Sequence, residues 1–361
     1  MATRNTSECL LAFLVLLFAA MQTVAQHETK TSRLTERVVN NTSEIIEETE
    51  KFIEEHLDNK DSIYISPNIY NLTIMPQFSY NYEYYRFTSE DREQSMTLVP
   101  DINGKFGIYI GWRWIFLGYS FNIDKGNPQK DINLSFYTSR LGIDLFYRKR
   151  DKGYKLRSIR GFEIEGKELE EYNRNFDGLS VKQKGFNLYY IFNHRKFSYP
   201  AAYSQSTNQR RSAGSFILGV NYNEQSFSFD HTMFGPEITE LLKDDMKFRY
   251  IKYKDFSINF GYSYNWVFAK NCLANVSLTP AVGYKNTSLK MKNSKEFFSN
   301  LNLDFISRLA IVYNNSKYYA GASVVAHTYS YNNKSVSIIN GFGVVNIYIG
   351  FNFWRRKQAG L

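Results

Sequence analysis

Six charged side chains stand at positions where the alternation of apolar and polar residues places them on the polar faces of predicted β-strands. They are Glu83, Lys105, Asp144, Arg148, Asp304 and Arg308. Asp144 and Arg148 are separated by an even number of residues, as are Asp304 and Arg308, so each pair lies on one side of its strand. Opposite charges that face each other across a narrow barrel would pair, either as a plug that blocks flow or as a constriction that selects ions.

Nucleophilic catalysis would require a serine within reach of a histidine. Membrane-embedded lipases and deacylases place that serine two residues after the histidine, and His194, His231 and His327 have none there. Asp230 and His231 resemble a pair that activates water in some outer-membrane proteases, but such a pair needs acids from other strands, and an ordinary solvated loop is the simpler interpretation. We predict no catalytic residue, no metal site and no cofactor, because no phosphate loop, zinc spacing or calcium loop occurs.

The elements that must position these residues alternate with a period of two. In residues 71–84, apolar or aromatic side chains at Leu72, Ile74 and Phe78 are interleaved with polar ones. Residues 105–122, KFGIYIGWRWIFLGYSFN, show the same alternation with a change of phase across residues 113–114. That change predicts a hairpin of two strands joined by a tight turn.

The same pattern recurs to the end of the chain and predicts an all-β protein. Residues 131–149 are interpreted as one strand with a bulge near Ser139, and residues 153–164 as a weak strand. The count is then about 12 strands, an even number typical of single-chain outer-membrane barrels, which brings both chain ends to one side.

The composition of the polar faces separates a membrane barrel from a soluble one. A soluble β-protein turns its polar face to water and should carry many Lys and Glu residues there. Here that face is mostly Gly, Ser, Asn and Thr, as expected of a barrel lumen. The sequence therefore favours an antiparallel transmembrane β-barrel, with a soluble periplasmic β-protein as an alternative.

The lengths of the connections indicate an orientation, because outer-membrane barrels have short periplasmic turns and longer external loops. Tight turns are predicted at residues 113–114, 149–152, 270–271 and 315–316, and long loops at residues 163–182, 231–249 and 286–297. The basic turn with Lys149 and Lys152 is thus predicted to be periplasmic and the acidic loop around Glu168 external. Residues 195–214 break the rule, which means either a folded periplasmic segment or a miscounted hairpin.

The N-terminal region is predicted to direct export. Residues 1–25 have the layout of a cleaved signal peptide, and residues 26–62 are predicted to be a periplasmic amphipathic helix and linker ahead of a barrel spanning residues 63–361. After cleavage Cys272 is the single cysteine, so no internal disulfide is expected. The net charge of +9 favours phospholipid head groups over nucleic acid for an exported protein.

Four segments resemble an uncharacterised Bacteroidetes family, the domain-of-unknown-function family 4421. They begin at Asp61 (DSIYISPNIYNLTIMPQFSYNYEYYRF), Lys105 (KFGIYIGWRWIFLGYSFN), Leu134 (LSFYTSRLGIDLFYRK) and Arg195 (RKFSYPAAYSQSTNQRRSAGSFILG). The resemblance covers most of the mature chain and implies an exported protein of the outer membrane, without an established activity.

The sequence as a whole predicts an outer-membrane barrel that acts as a passive pore or as a structural or assembly component of the cell envelope. An outer-membrane hydrolase with a site at the barrel rim is an alternative. Outer-membrane lipid is the expected partner, together with an assembly or periplasmic partner at the N-terminal helix, and the oligomeric state is left open.

Overall fold

The computed structural model describes residues 59–100, 104–112, 115–123, 129–162, 174–290, 295–331 and 336–355. The predicted signal peptide and nearly all of the predicted N-terminal helix lie outside these residues and stay predictions. Among the described residues, no helix is both long and apolar enough to cross a bilayer.

Strands account for most of the described chain. Those that build the barrel wall are β2 (Tyr70–Ser89), β4 (Gly104–Trp112), β5 (Ile115–Asn122), β6 (Gln129–Tyr137), β7 (Leu141–Arg150), β10 (Leu179–Ile191), β12 (Ala213–Phe229), β13 (Tyr250–Ala269), β14 (Cys272–Lys290), β15 (Lys295–Asn314), β16 (Tyr318–Tyr331) and β17 (Val336–Arg355). The remaining strands and helices are β1 (Ile65–Pro67), β3 (Ser95–Pro100), β8 (Tyr154–Arg160), β9 (Arg174–Phe176), β11 (Thr207–Gln209), α1 (Pro200–Tyr203), α2 (Pro236–Leu241), and two 3₁₀-helices at His231–Phe234 and Asp244–Met246.

The wall is a closed antiparallel barrel of 12 strands, which confirms the predicted fold class and strand number. Each wall strand pairs with its neighbours along the chain, and β17 returns to pair with β2, for example at Phe351 and Ile74. Closure removes the two free sheet edges, so backbone groups that would otherwise face lipid without a partner are hydrogen-bonded.

The outer surface is apolar and aromatic around the barrel. Phe78, Ile110, Leu218, Phe260 and Ile347 are each at least 40% exposed, although they are among the most hydrophobic side chains in the chain. Apolar side chains exposed on every strand would be unfavourable in water and are the expected surface of a barrel that lies in lipid. The polar residues between them point inward, as the alternation predicts.

Two assignments of individual strands were wrong, and the errors cancel in the count. Residues 131–149 are not one bulged strand but the two wall strands β6 and β7, which turn at residues 138–140. Residues 153–164 contribute no wall strand, because β8 pairs with β3 and β9. The cause is that a short turn and a bulge near Ser139 would both shift the phase of the alternation. The alternation alone therefore does not distinguish one bulged strand from two strands.

The strand ends define two ends of the barrel. We call the end that holds Tyr70 and Arg355 the short-turn end, since β4, β6, β13 and β15 end there and the next wall strands begin within a few residues. The opposite end, the long-loop end, holds the connections after β2, β5, β7, β12, β14 and β16. The turn at residues 149–152 lies at the long-loop end, as does the connection at residues 231–249, so the prediction that these two lie on opposite sides of the membrane was wrong.

A small sheet extends the wall at the long-loop end. β3 pairs with Tyr85–Thr88 of β2, β8 pairs with β3, and β9 pairs with β8. This extension rises beyond the ends of β4 and β5 and places its apolar face over the barrel opening, as shown by the burial of Met96 and Leu98.

Candidate functional site

The lumen contains a cavity of about 260 Å³, and most of the predicted charged residues line it. Lys105, Asp144, Arg148, Asp304 and Arg308 all contribute to its wall. Glu83 is buried above it, where its carboxylate accepts a hydrogen bond of 3.1 Å from the Tyr85 hydroxyl. The structure therefore places all six predicted side chains inside the barrel.

The first group of charges joins β4, β6 and β7. The ammonium of Lys105 pairs with the carboxylate of Asp131, and both side chains are almost fully buried. Arg148 Nε lies 3.7 Å from Asp131 Oδ1, while the Arg148 guanidinium stacks 3.9 Å from the ring centre of Phe342 on the far wall. Sequence reasoning missed Asp131, because residues 131–149 were treated as one strand of uncertain phase.

The second group crosses the barrel. Arg308 Nη2 on β15 lies 3.8 Å from Asp144 Oδ2 on β7. Asp144 also accepts hydrogen bonds from Ser135 Oγ, at 2.8 Å, and from the Tyr137 hydroxyl. The predicted network between these strands thus forms through one ion pair.

The third group joins β13, β14 and β15. Lys285 Nζ lies 3.9 Å from Asp255 Oδ2, and Asn302 Nδ2 donates to Asp304 Oδ2 at 2.7 Å. Asp304 is thus hydrogen-bonded to Asn302, and the charge network predicted between the two pairs forms through Asp144 and Arg308. The sequence analysis missed Asp255 and Lys285. The alternation along β13 and β14 could have identified both, because each stands at an inward position between outward apolar residues.

A folded segment closes the short-turn end. The connection between β10 and β12, residues 192–212, turns into the lumen and contains α1 and β11; we call it the plug segment. The Tyr203 hydroxyl donates to Asn275 Oδ1 at 2.6 Å, Gln205 Nε2 donates to the Tyr348 hydroxyl at 3.1 Å, and Asn265 Nδ2 donates to the Ser198 carbonyl at 2.7 Å. Side chains of β13, β14 and β17 thus hold it in place.

Apolar packing and a backbone pairing add to these hydrogen bonds. Phe197 and Tyr199 are buried against Ile191 and Ile217 of the wall, and β11 pairs with β1 ahead of the barrel. Each fully buried aromatic or aliphatic side chain contributes roughly 1.5–3 kcal/mol. Two alternatives were predicted for residues 195–214, a folded segment or a miscounted hairpin. The structure shows the first of them, a folded segment at the short-turn end.

An aromatic cluster packs at the long-loop end. Phe229 and Phe248 stack with ring centres 4.7 Å apart, and Phe176 and Phe234 with ring centres 4.0 Å apart. These rings come from β9, β12 and the β12–β13 connection and are buried together with side chains of β2, β3, β8 and β10. Packed protein therefore lies at each end of the cavity.

Polar contacts tie the β12–β13 connection to the turn between β2 and β3. Gln94 Nε2 donates to the Leu241 carbonyl at 2.8 Å, and the Lys243 amide donates to Gln94 Oε1 at 2.9 Å. The Lys243 ammonium pairs with both Asp91 and Glu93. Its hydrogen bond holds the pKa of Asp91 well below the usual range of an aspartate.

Asp230, His231 and His194, which the sequence analysis compared with catalytic groups, lie in a loop and a turn, and His327 lies on β16. Asp230 caps the 3₁₀-helix at residues 231–234 by accepting hydrogen bonds from the Thr232 amide, at 3.1 Å, and from the Thr232 hydroxyl, at 2.6 Å. His194 accepts a hydrogen bond of 3.0 Å from Arg140 Nε at the short-turn end. The absence of a catalytic site stays a prediction.

Solved membrane barrels show a distant likeness to this chain. The outer-membrane protease OmpT from Escherichia coli is 7% identical with a TM-score of 0.37, and the match covers 80% of this chain and 98% of OmpT. The β domain of the Bordetella autotransporter BrkA is 12% identical with a TM-score of 0.35, over 79% and 100% of the two chains. The Pseudomonas putida toluene transporter TodX is 8% identical with a TM-score of 0.26, over 78% and 90%.

Likenesses at this level carry no argument about activity, and the fold rests on the strand pairing of the chain itself. No curated protein matches the sequence. The family model for a domain of unknown function (DUF4421) matches residues 59–353, which include every wall strand except the last two described residues of β17. The chain therefore belongs to the DUF4421 family, and its origin in Bacteroidetes stays a prediction.

Proposed function

We propose that the protein is a structural or assembly component of the bacterial outer membrane whose lumen is closed at rest. The single observation that carries this proposal is the plug segment. A passive pore needs a continuous aqueous path, and residues 192–212 lie in that path with side chains hydrogen-bonded to β14 and β17.

The charges of the lumen support a closed state as well. Asp131 pairs with Lys105 and lies 3.7 Å from Arg148, and Asp144 pairs with Arg308. An ion that entered would have to compete with these fixed partners inside a wall of low dielectric constant, where such pairs are screened little by water. The plug interpretation of the charge network is thus favoured over the constriction.

The orientation and the partners belong to the same proposal. The short-turn end, which holds the first and last residues of the wall, faces the periplasm. The long-loop end faces outward, as in other single-chain outer-membrane barrels. The amphipathic helix predicted within residues 26–62 would then lie in the periplasm, where it would bind an assembly partner. No nucleic acid is involved.

Conductance in planar bilayers tests the closed lumen. The full mature chain should show no steady conductance, and a variant in which a Gly-Ser linker replaces residues 197–209 should open a channel. The control is a double variant, D91N/E93Q, which changes the long-loop end and leaves the plug segment intact; it should stay closed. Heat-modifiable gel mobility establishes that each barrel is folded. Steady conductance in the unaltered protein would support the passive pore instead.

A further inference from the structure

Three lysines form one row across neighbouring strands on the outer surface. Lys130 on β6 pairs in register with Lys149 on β7, and Lys149 pairs on its other side with Lys182 on β10. Lys130 and Lys182 are exposed, and the Lys149 side chain is 41% exposed. Side chains that face each other directly on antiparallel strands have Cβ atoms about 4.5–5.5 Å apart. Three positive charges therefore lie side by side.

The described residues compensate this row only in part. Lys149 Nζ donates to Asp151 Oδ2 at 2.8 Å, and Asp151 lies within electrostatic reach of Lys130. Among the described residues no ion pair to Lys130 or Lys182 is formed. Like charges directly opposite each other destabilise a sheet. A further anion bound against these three cations and one carboxylate would reduce that repulsion.

The row stands at the border of the apolar belt. One step toward the middle of the barrel, Ile132 pairs with Tyr147, and one step further Leu134 pairs with Leu145. Ile132 and Leu145 are 43% and 37% exposed on the lipid-facing side. Each step of two residues is roughly 7 Å along a strand, so the ammonium groups lie within one or two steps of the hydrocarbon, at the depth of lipid head groups.

We propose that this lysine row (Lys130, Lys149 and Lys182) binds the phosphate of a membrane lipid head group in the leaflet at the long-loop end. A phosphate monoester carries close to two negative charges at neutral pH and matches the excess charge of the row. The lysine stems pack along apolar surface while their ammonium groups reach the head-group region. The proposal requires only that the barrel spans a membrane, and it is independent of the closed lumen.

Binding of phosphatidic acid to the purified full barrel in a neutral detergent, counted by native mass spectrometry against phosphatidylcholine, tests this site. The variant K130Q/K182Q removes two charges and leaves the ion pair between Lys149 and Asp151 intact. We expect its affinity for phosphatidic acid to fall by about fivefold for each lysine removed. The control K270Q/K317Q removes two exposed lysines at the short-turn end and should bind as the unaltered protein does.

A charge-retaining variant and a free anion complete the test. K130R/K182R should keep the preference for phosphatidic acid, which also shows that the row tolerates substitution. Equal weakening in K130Q/K182Q and in K270Q/K317Q would mean general attraction to a basic protein and would overturn the proposal. It would also be overturned if inorganic phosphate alone bound the barrel as tightly as the lipid, because the site would then take a free anion.

Discussion

Arg308 on β15 lies 3.8 Å from Asp144 on β7, and these two strands are five places apart in the order around the barrel. The ion pair therefore bridges nearly opposite walls. Arg308 also lies within 6 Å of the ring centres of Tyr199 and Tyr203, so the same guanidinium contacts the plug segment. One residue thereby connects two walls and the segment that closes the lumen.

Replacing Arg308 by Ala should destabilise the barrel, because the partly buried Asp144 carboxylate would lose its cation. We expect a loss of about 2 kcal/mol or more in the free energy of unfolding, measured by urea titration in detergent. The double variant D144N/R308A should recover part of that loss. The single variant D144N completes the cycle, and a loss in the double variant equal to the sum of the two single losses would show that the two side chains are not energetically coupled.

Removing the side chain of Gln205 should loosen the plug segment. Gln205 Nε2 donates to the Tyr348 hydroxyl, and Gln205 Oε1 accepts a hydrogen bond of 3.1 Å from Asn314 Nδ2. We expect Gln205→Ala to produce brief channel openings in planar bilayers that the unaltered protein lacks. The control is Asn315→Ala. Asn315 is exposed and directly follows Asn314 at the end of β15, and its replacement should produce no channel openings.

Arginine on the lipid-facing surface should be costly. Leu218→Arg or Ile347→Arg should each lower the free energy of unfolding by about 2–4 kcal/mol, since both side chains are exposed to hydrocarbon. Asn221→Arg, on the neighbouring inward face of β12 beside the cavity, should cost less. Equal costs at all three positions would contradict the assignment of the two faces.

Cysteine labelling tests the orientation of the ends. In a Cys272→Ser background, a reagent that does not cross the membrane should label Lys152→Cys on intact cells, because residues 149–152 lie at the long-loop end. Lys317→Cys, in the tight turn between β15 and β16, should be labelled only after the cells are opened. The reverse pattern would invert the proposed orientation.

His194 should make stability depend on pH at the short-turn end. Partial burial and the nearby Arg140 lower the pKa of His194 below its ordinary value of 6.5. Because the folded state binds this proton more weakly than the unfolded state does, His194 contributes stability that is fully present above pH 6.5. That stability is lost as the pH falls through the lowered pKa of the folded state. Unfolding at pH 7.5 and 5.5 should show that the unaltered protein loses more stability than His194→Gln does. An equal loss in both would remove His194 as the cause.

The sequence by itself determined the faces of the strands. Successive side chains of a strand point to opposite sides, so the alternation around Glu83, Lys105 and Arg308 was enough to assign each of them to the lumen. It also determined the hairpin formed by β4 and β5, whereas the number of wall strands was right only because two errors of strand assignment cancelled. These are local properties, decided by residues that are close in the chain.

The tertiary structure alone decided which residues meet. The alternation is the same whether residues 131–149 form one strand or two, and whether β8 joins the wall or the extension above it. The pairing of Arg308 with Asp144, and the entry of residues 192–212 into the lumen, depend on the closure of the barrel between β2 and β17. Contacts between segments distant in the chain follow from the register and order of all strands together, which local periodicity does not encode.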